Sequence, residues 1–243
     1  MNSKFFVSLL LTLFIVANST FSATSDDEKK ENLTPELLFE KYLSALGGKD
    51  AILKVQDRYY VMNATFKDFE IEIAVYQKAP NKFLQSTSFA GQETYLVYDG
   101  EKGYQKSFMG DGDVEGSDLE MLKIDASLHF VANYQDFGLK FELLGEEKVA
   151  GKNSYKVKVI LPSGAPMTYY FDSETFLRVR ESKIISTPQG SVSVDIDYLD
   201  FREVDGVKYP FSIIQSVGPM KLNFTVSGVQ INKGISDEVF NKK

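Results

Sequence analysis

The stretch SVSVDIDYLDFREVDGVKYPFSI, residues 191–213, alternates apolar residues with small or charged ones, breaks at Asp205-Gly206, and then resumes the alternation. Val192, Val194, Ile196 and Tyr198 fall on one side of the first run, and Val207, Tyr209, Phe211 and Ile213 on one side of the second. A period of two sends successive side chains to opposite faces of a strand, and Asp-Gly suits a two-residue hairpin turn whose central positions need positive φ. Two antiparallel strands are expected, with one wet face and one dry face that something must cover.

The device repeats on both sides of this stretch. Phe69, Ile71, Ile73 and Val75 alternate with Glu70 and Glu72, and KAPNKF (residues 78–83) turns the chain. ETYLVYDGEKGYQKSF reads as strand, turn at Asp99-Gly100, strand. Tyr155, Val157, Val159 and Leu161 share a face opposite Lys156 and Lys158. Met167, Tyr169 and Phe171 follow, then a turn at Asp172-Ser173, then Leu177 and Val179, and Leu222, Phe224 and Val226 close the series. Roughly a dozen strands at such short spacing describe an antiparallel meander.

Two segments carry helical spacing instead. Thr34 can cap a helix, Pro35 suits its first position, and Glu36 favours its positive end; the stripe Leu38, Tyr42, Ala45 and Leu46 runs to Gly47-Gly48, where a left-handed cap is sterically free. KDAILKV adds another turn. GDGDVEGSD, residues 110–118, is expected to be a flexible acidic loop with the position of a hinge or lid segment. It precedes a helix read through Leu119, Leu122, Leu128 and Val131. Helices at two places beside a long meander give an α+β fold, a curved sheet with helices on one face. So little helix covers few strands. Either the sheet rolls up and fills its interior with side chains, or it keeps dry surface for a ligand.

Lys4 followed by the apolar run Phe5 to Ala17 and a group of small residues reads as a cleavable secretory signal over residues 1–22, the apolar run being too short to span a bilayer comfortably. A flexible charged lead-in is expected over residues 23–33 and a single domain over 34–243. The absence of cysteine leaves no lipid-attachment residue at the cleavage point and no disulfide framework, so the expectation is an unanchored secreted protein standing on its own core. A formal charge of −7 argues against nucleic acid as a partner.

Reactive constellations are absent from the sequence. His129 is the single histidine and sits in a helical segment, so it is read as a packing or surface residue. No H-E-x-x-H, G-x-S-x-G or P-loop occurs. Asp111, Asp113, Glu115 and Asp118 approach a calcium loop, with Gly116 in the sixth position, but Leu122 takes the twelfth, where a bidentate glutamate is required. Asp195 and Asp197 share a strand face that reads as solvated. No catalytic residue, metal or cofactor is therefore expected. The 19 Phe and 13 Tyr residues fit either a packed β-core or an apolar cavity for acyl chains, which offer no hydrogen bonds and need broad apolar walls.

Taken in order, IEIAVYQKAPNKFLQS (residues 71–86), YLVYDGEKGYQ (95–105), YYFDSETFLRVRES (169–182) and VSGVQINKGISDEVF (226–240) resemble the LolA-like superfamily of periplasmic lipoprotein carriers, closest to the outer-membrane lipoprotein-sorting-like proteins of Gram-negative bacteria such as Bacteroidota. The resemblance implies an incomplete, half-open antiparallel β-barrel with helices covering its concave apolar face. It also implies a carrier that takes a lipid or acylated lipoprotein from an inner-membrane donor, shields the acyl chains non-covalently, and passes them towards an outer-membrane acceptor, acting as a monomer. Arg58 lies in an early strand but lacks the motif around the lid arginine of the best-studied carriers. The candidate walls are Phe69, Ile71, Ile73 and Val75; Val157 and Val159; Tyr169 and Phe171; Val192, Val194 and Ile196; Phe211 and Ile213; and Leu222 and Phe224. Two rivals stand beside the carrier: a filled-core β-domain that binds proteins of the envelope, and a hydrolase of an envelope polymer or lipid, whose reactive groups the sequence does not display.

Overall fold

Thr34 opens the first helix, α1 (Pro35–Leu46), by accepting a hydrogen bond from the Leu37 N–H at 3.2 Å. Gly47 and Gly48 end it with positive φ, the Gly48 N–H returning to the Leu43 carbonyl at 2.9 Å. The computed structural model describes residues 33–107, 110–187 and 190–242. The expected signal and all but the last residue of the lead-in lie outside the described residues. A short α2 (Lys49–Leu53) follows α1.

Six strands come next: β1 (Asp57–Phe66), β2 (Phe69–Lys78), β3 (Lys82–Phe89), β4 (Gln92–Tyr98), β5 (Gly103–Ser107) and β6 (Gly110–Val114). The helical passage is broken into α3 (Gly116–Ala126), α4 (Phe130–Asn133) and a 3-10 turn (Tyr134–Phe137). Seven further strands complete the sheet: β7 (Lys140–Val149), β8 (Lys152–Ile160), β9 (Pro166–Asp172), β10 (Arg178–Thr187), β11 (Gly190–Val204), β12 (Val207–Val217) and β13 (Met220–Ile231). All thirteen form one antiparallel sheet in the order β6-β5-β4-β3-β2-β1-β13-β12-β11-β10-β9-β8-β7. The sheet is not closed, because β6 and β7 are unpaired edges, and the fold is a half-open α+β barrel.

This order explains where the helices lie. The chain walks outward from β1 to the edge at β6, and must then reach the opposite edge at β7 before walking back to β13 beside β1. The segment making that journey is α3–α4. A connection between the two edges of a curled sheet crosses its open side, and side chains of α3 and α4 accordingly face its interior.

Two sequence expectations are corrected here. The acidic stretch from residue 110 is not a loop: Gly110–Val114 pairs with β5 from Ser107↔Gly110 to Gly103↔Val114. A short edge strand rich in Asp and Gly, with only Val114 buried, carries no alternation that could announce it. The single helix through Leu119 and Val131 is interrupted at residues 127–129, where Ser127 leaves helical geometry.

The opening stretch behaves as its pattern requires. β11 pairs with β12 from Val194↔Val217 to Val204↔Val207, around Asp205 and Gly206 with φ of 49° and 83°. Concave side chains form two cores. Around α1, Leu38, Phe39 and Tyr42 pack with Val157, Val159, Tyr169 and Phe171. Across the other half, Ile71, Ile73 and Val75 meet Phe83, Leu122, Leu222 and Phe224.

The start of β1 is fastened to the end of the chain. Asp57 is 4% exposed, and its carboxylate accepts from the N–H groups of Lys233, Gly234 and Ile235 at 2.8, 2.8 and 3.3 Å. This seats the 3-10 turn Asp237–Phe240, whose Phe240 packs against Leu84 and Val97. Asp57→Ala strands three donors and is expected to cost about 2–3 kcal/mol, read as a lowered urea midpoint with an unchanged slope.

Candidate functional site

The helices do not fill the half-barrel. A cavity of about 830 Å³ remains, within the range of roughly 300–1,000 Å³ common for small-molecule sites. The sheet supplies Met62 from β1, Ile73 from β2, Phe83 from β3, Ile196 from β11, Ile213 from β12 and Phe224 from β13. Tyr42 and Leu46 of α1, Ile52 of α2, Ile124 of α3 and Val131 of α4 close it from the helical side.

Five of the candidate wall residues meet in this cavity: Ile73, Val194, Ile196, Ile213 and Phe224. The rest lie elsewhere for identifiable reasons. Val157, Val159, Tyr169 and Phe171 point to the same concave face, but α1 sits on them, with the Phe39 ring 5.5 Å from Phe171. Ile71, Val75 and Leu222 are buried in the second core, and Phe211 packs against both cores. Val192 belongs to a small cluster with Val194 and Val217. Phe69 is 47% exposed at the β1–β2 turn, where its ring meets only Phe89 among the described rings, at 5.6 Å.

One side of the cavity is polar, and alternation alone conceals it. β10 pairs with β9 through Arg178↔Phe171 and then Arg180↔Tyr170, leaving Val179 as an extra residue. This bulge puts Arg178 and Glu181, three residues apart, on the same concave face, with Lys183 beyond them. Glu181, 3% exposed at its side chain, takes Arg178 Nη1 at 3.2 Å on one oxygen and Lys183 Nζ at 3.1 Å on the other. Lys183 Nζ also reaches Asp125 of α3 at 3.6 Å. The Arg178 guanidinium lies over Tyr169 and Tyr198, 4.6 and 5.1 Å from their ring centres.

A third cation faces the same space. The Arg58 guanidinium of β1 lies over Tyr209 and Tyr60 at 5.0 and 5.4 Å, and its Nε donates to Gln77 Oε1 at 2.8 Å. The Gln77 amide in turn donates to the Asp125 carbonyl at 2.6 Å.

Burial works against the charges of Glu181, Lys183 and Asp125, and the pairing decides the outcome. It pushes the Glu181 carboxyl up, yet Lys183 and Arg178 outweigh it and hold that carboxyl below the usual glutamate value. It pulls the Lys183 ammonium down, yet Asp125 and Glu181 hold it well above the usual lysine value. Asp125 goes the other way: burial raises its carboxyl, and the nearby Lys183 does not fully offset this. Burial also raises the phenols of Tyr169 and Tyr198, which stay neutral.

Of the other groups singled out in the sequence, Asp111 lines the cavity. The Asp118 carboxyl, raised by burial with Lys183 acting against it, keeps one buried oxygen without a hydrogen-bond partner among the described residues. The histidine and the β11 carboxylates lie apart from the polar side. His129 Nε2 lies 2.7 Å from the Val55 carbonyl, joining the start of α4 to the end of α2. Asp195 accepts from the Ser182 hydroxyl at 2.6 Å and Asp197 pairs with Arg180, both on the side of the sheet away from Glu181. Among the described residues no three His, Asp or Glu side chains are grouped to hold a metal ion, and no helix is long and apolar enough to cross a membrane.

No protein-family model matches the sequence, and a comparison with curated proteins finds no match. Solved structures do match. A LolA superfamily protein from Nitrosomonas europaea aligns over 86% of this chain and 98% of its own, at 13% identity and a TM-score of 0.55. A DUF1329 family protein from Desulfovibrio piger aligns over 85% and 96%, at 13% identity and a TM-score of 0.54. An outer membrane lipoprotein-sorting protein domain from Vibrio parahaemolyticus aligns over 84% and 94%, at 9% identity and a TM-score of 0.52. Such low identities over nearly whole chains speak to architecture, and the thirteen-stranded half-barrel crossed by its helices has the LolA-like fold.

Proposed function

We propose that this protein is a periplasmic carrier that holds acyl chains of lipoproteins or other lipids in the half-barrel cavity and delivers them towards the outer membrane. The observation that carries the reading is the cavity of about 830 Å³ between the helices and the apolar walls of β1, β2 and β11–β13. A filled-core domain would have no use for such a space. Each methylene moved from water into it contributes about 0.8 kcal/mol, so part of a chain suffices for a hold that is still reversible. The likeness to a domain named for lipoprotein sorting supports this direction.

Loading requires the helices to part from the sheet, and the two helical layers are anchored by different contacts. α1 buries Leu38 and Phe39 almost completely. α3 also buries Leu122 and Ala126, with Glu120 accepting from the Ser163 N–H and Asp125 reaching Lys183 and Gln77. Because it spans the open side between the sheet edges, it is the part that moves aside in this mechanism. An inner-membrane donor and an outer-membrane acceptor complete the route, with the carrier acting as a monomer.

Native mass spectrometry with lipid extraction, on protein purified without detergent, tests the reading directly. A bound lipid or acylated peptide is expected. An empty protein that also ignores added fatty acids, phospholipids and lipopeptides would point instead to an envelope protein-binding module. Met62→Glu places an unpaired charge on the cavity wall, at a half-buried site where folding is expected to survive. Binding of a fluorescent acyl probe should fall at least about tenfold, with circular dichroism confirming the fold. Unchanged binding in the folded variant would remove that wall from the site.

A further inference from the structure

A site meant only for hydrocarbon gains nothing from ionised side chains, because each one loses hydration that a hydrocarbon cannot replace. Lys106, Asp111 and Lys208 also line the cavity, but five charged groups are joined by contacts into one cluster: Arg58 from β1, Arg178, Glu181 and Lys183 from β10, and Asp125 from α3. They comprise three cations and two carboxylates. The carboxylates are already engaged, Glu181 by Arg178 and Lys183 and Asp125 by Lys183. Two guanidinium positions are left over. Arg178 Nε is buried without a hydrogen-bond partner. Arg58 has no carboxylate partner among the described residues: its Nε and Nη2 donate to the neutral Gln77 amide oxygen, and the neutral Tyr209 side chain also hydrogen-bonds to it.

The rings around these arginines sharpen the point. Tyr60 and Tyr209 take the face of one guanidinium, Tyr169 and Tyr198 the face of the other. A stacked guanidinium keeps its N–H edges for a planar or tetrahedral oxyanion, the geometry that suits carboxylate and phosphate. One chain of contacts joins the two arginines: Arg58 donates to Gln77, Gln77 donates to the Asp125 carbonyl, and the Asp125 carboxylate reaches Lys183, which shares Glu181 with Arg178. We propose that this polar side is a headgroup subsite, and that the passenger is an anionic amphiphile whose phosphate or carboxylate seats between Arg58 and Arg178 while its chain lies along Ile73, Met62 and Phe224. The inference rests on the carrier reading and narrows it: the ligand enters acid end inward.

Matched single-chain ligands separate the two ideas. Hexadecyl phosphate, hexadecanoate and hexadecanol share a chain and differ in headgroup, and each can be titrated against a bound fluorescent acyl probe. The wild-type protein is expected to bind the two anions at least about tenfold more tightly than the alcohol, the scale of one charge-assisted hydrogen bond. Arg58→Gln should cut that ratio severalfold. This change strands no buried carboxylate, and circular dichroism accompanies it; Arg58→Lys, which keeps the charge and loses the planar fork, replaces it if the glutamine variant unfolds. Inorganic phosphate is expected to leave the probe in place.

Equal binding of all three ligands by the wild type would overturn the headgroup subsite and leave the carrier standing. Binding of none would overturn the carrier reading, and the subsite with it. A preference for anions that survives in folded arginine variants would overturn the assignment to these residues. Displacement by inorganic phosphate as effective as by hexadecyl phosphate would mean a free-anion site and overturn the amphiphile.

Discussion

Gly47→Ala is expected to destabilise the protein by at least about 2–3 kcal/mol, or to detach the end of α1, because two independent penalties fall on one methyl group. The first is conformational. Gly47 has φ of 128°, where an L side chain is strained whatever the space around it. The second is a collision: a Cβ built there would lie 2.0 Å from the Gly206 carbonyl oxygen, at the turn of the β11–β12 hairpin. That oxygen belongs to the backbone, so no rotamer change relieves the overlap. Thermal unfolding of the variant would show a lowered midpoint, and hydrogen exchange would place the loss in α1 and the β11–β12 turn. A midpoint within a degree of the wild type would mean that α1 does not rest on that turn.

The second large effect is expected at Phe39. Its side chain is 1% exposed, with the Tyr134 ring stacked at 4.6 Å and the Phe141 and Phe171 rings at 4.7 and 5.5 Å. Phe39→Ala empties the centre of this aromatic nest and should cost about 3–5 kcal/mol. The functional consequence follows from where the nest lies. α1 covers Val157, Val159, Tyr169 and Phe171, so loosening it exposes concave apolar surface adjoining the cavity. The variant is therefore expected to take up more of an environment-sensitive apolar dye than the wild type while losing stability. A fall in stability without a gain in dye binding would mean that the sheet collapses onto the gap.

These two expectations assign different work to the helices. α1 is a plug, fixed by an aromatic nest at one end and by a glycine against a hairpin at the other. α3 spans the route between the sheet edges, and its Asp125 touches the polar side of the cavity through Lys183 and Gln77. In the proposed carrier α1 would serve as the fixed wall and α3 as the movable one.

Much of this architecture was written locally. Alternation in residues 191–213 is enough to set the β11–β12 hairpin, because a strand's two faces are decided by each residue's neighbours and the turn by Asp205-Gly206 alone. Thr34, Pro35 and Gly47-Gly48 likewise set the limits of α1. The concave face was thus legible in the alternation, and Ile73, Val194, Ile196, Ile213 and Phe224 of that face line the cavity. Which part of that face stays empty was not. Val157 and Phe171 carry the same pattern as Ile73 and Phe224, and they differ only in lying under α1, a contact between residues more than a hundred positions apart. The polar side was hidden for a second reason. The extra residue Val179 shifts the phase of β10, so Arg178 and Glu181 share a face that strict alternation denies them. The sequence by itself determined strands, faces and turns, since these follow from short-range sterics and side-chain period. Only the tertiary structure decided where the cavity lies and which charges line it, because a cavity is the space left between curved sheet and packed helices, and no single segment encodes that difference.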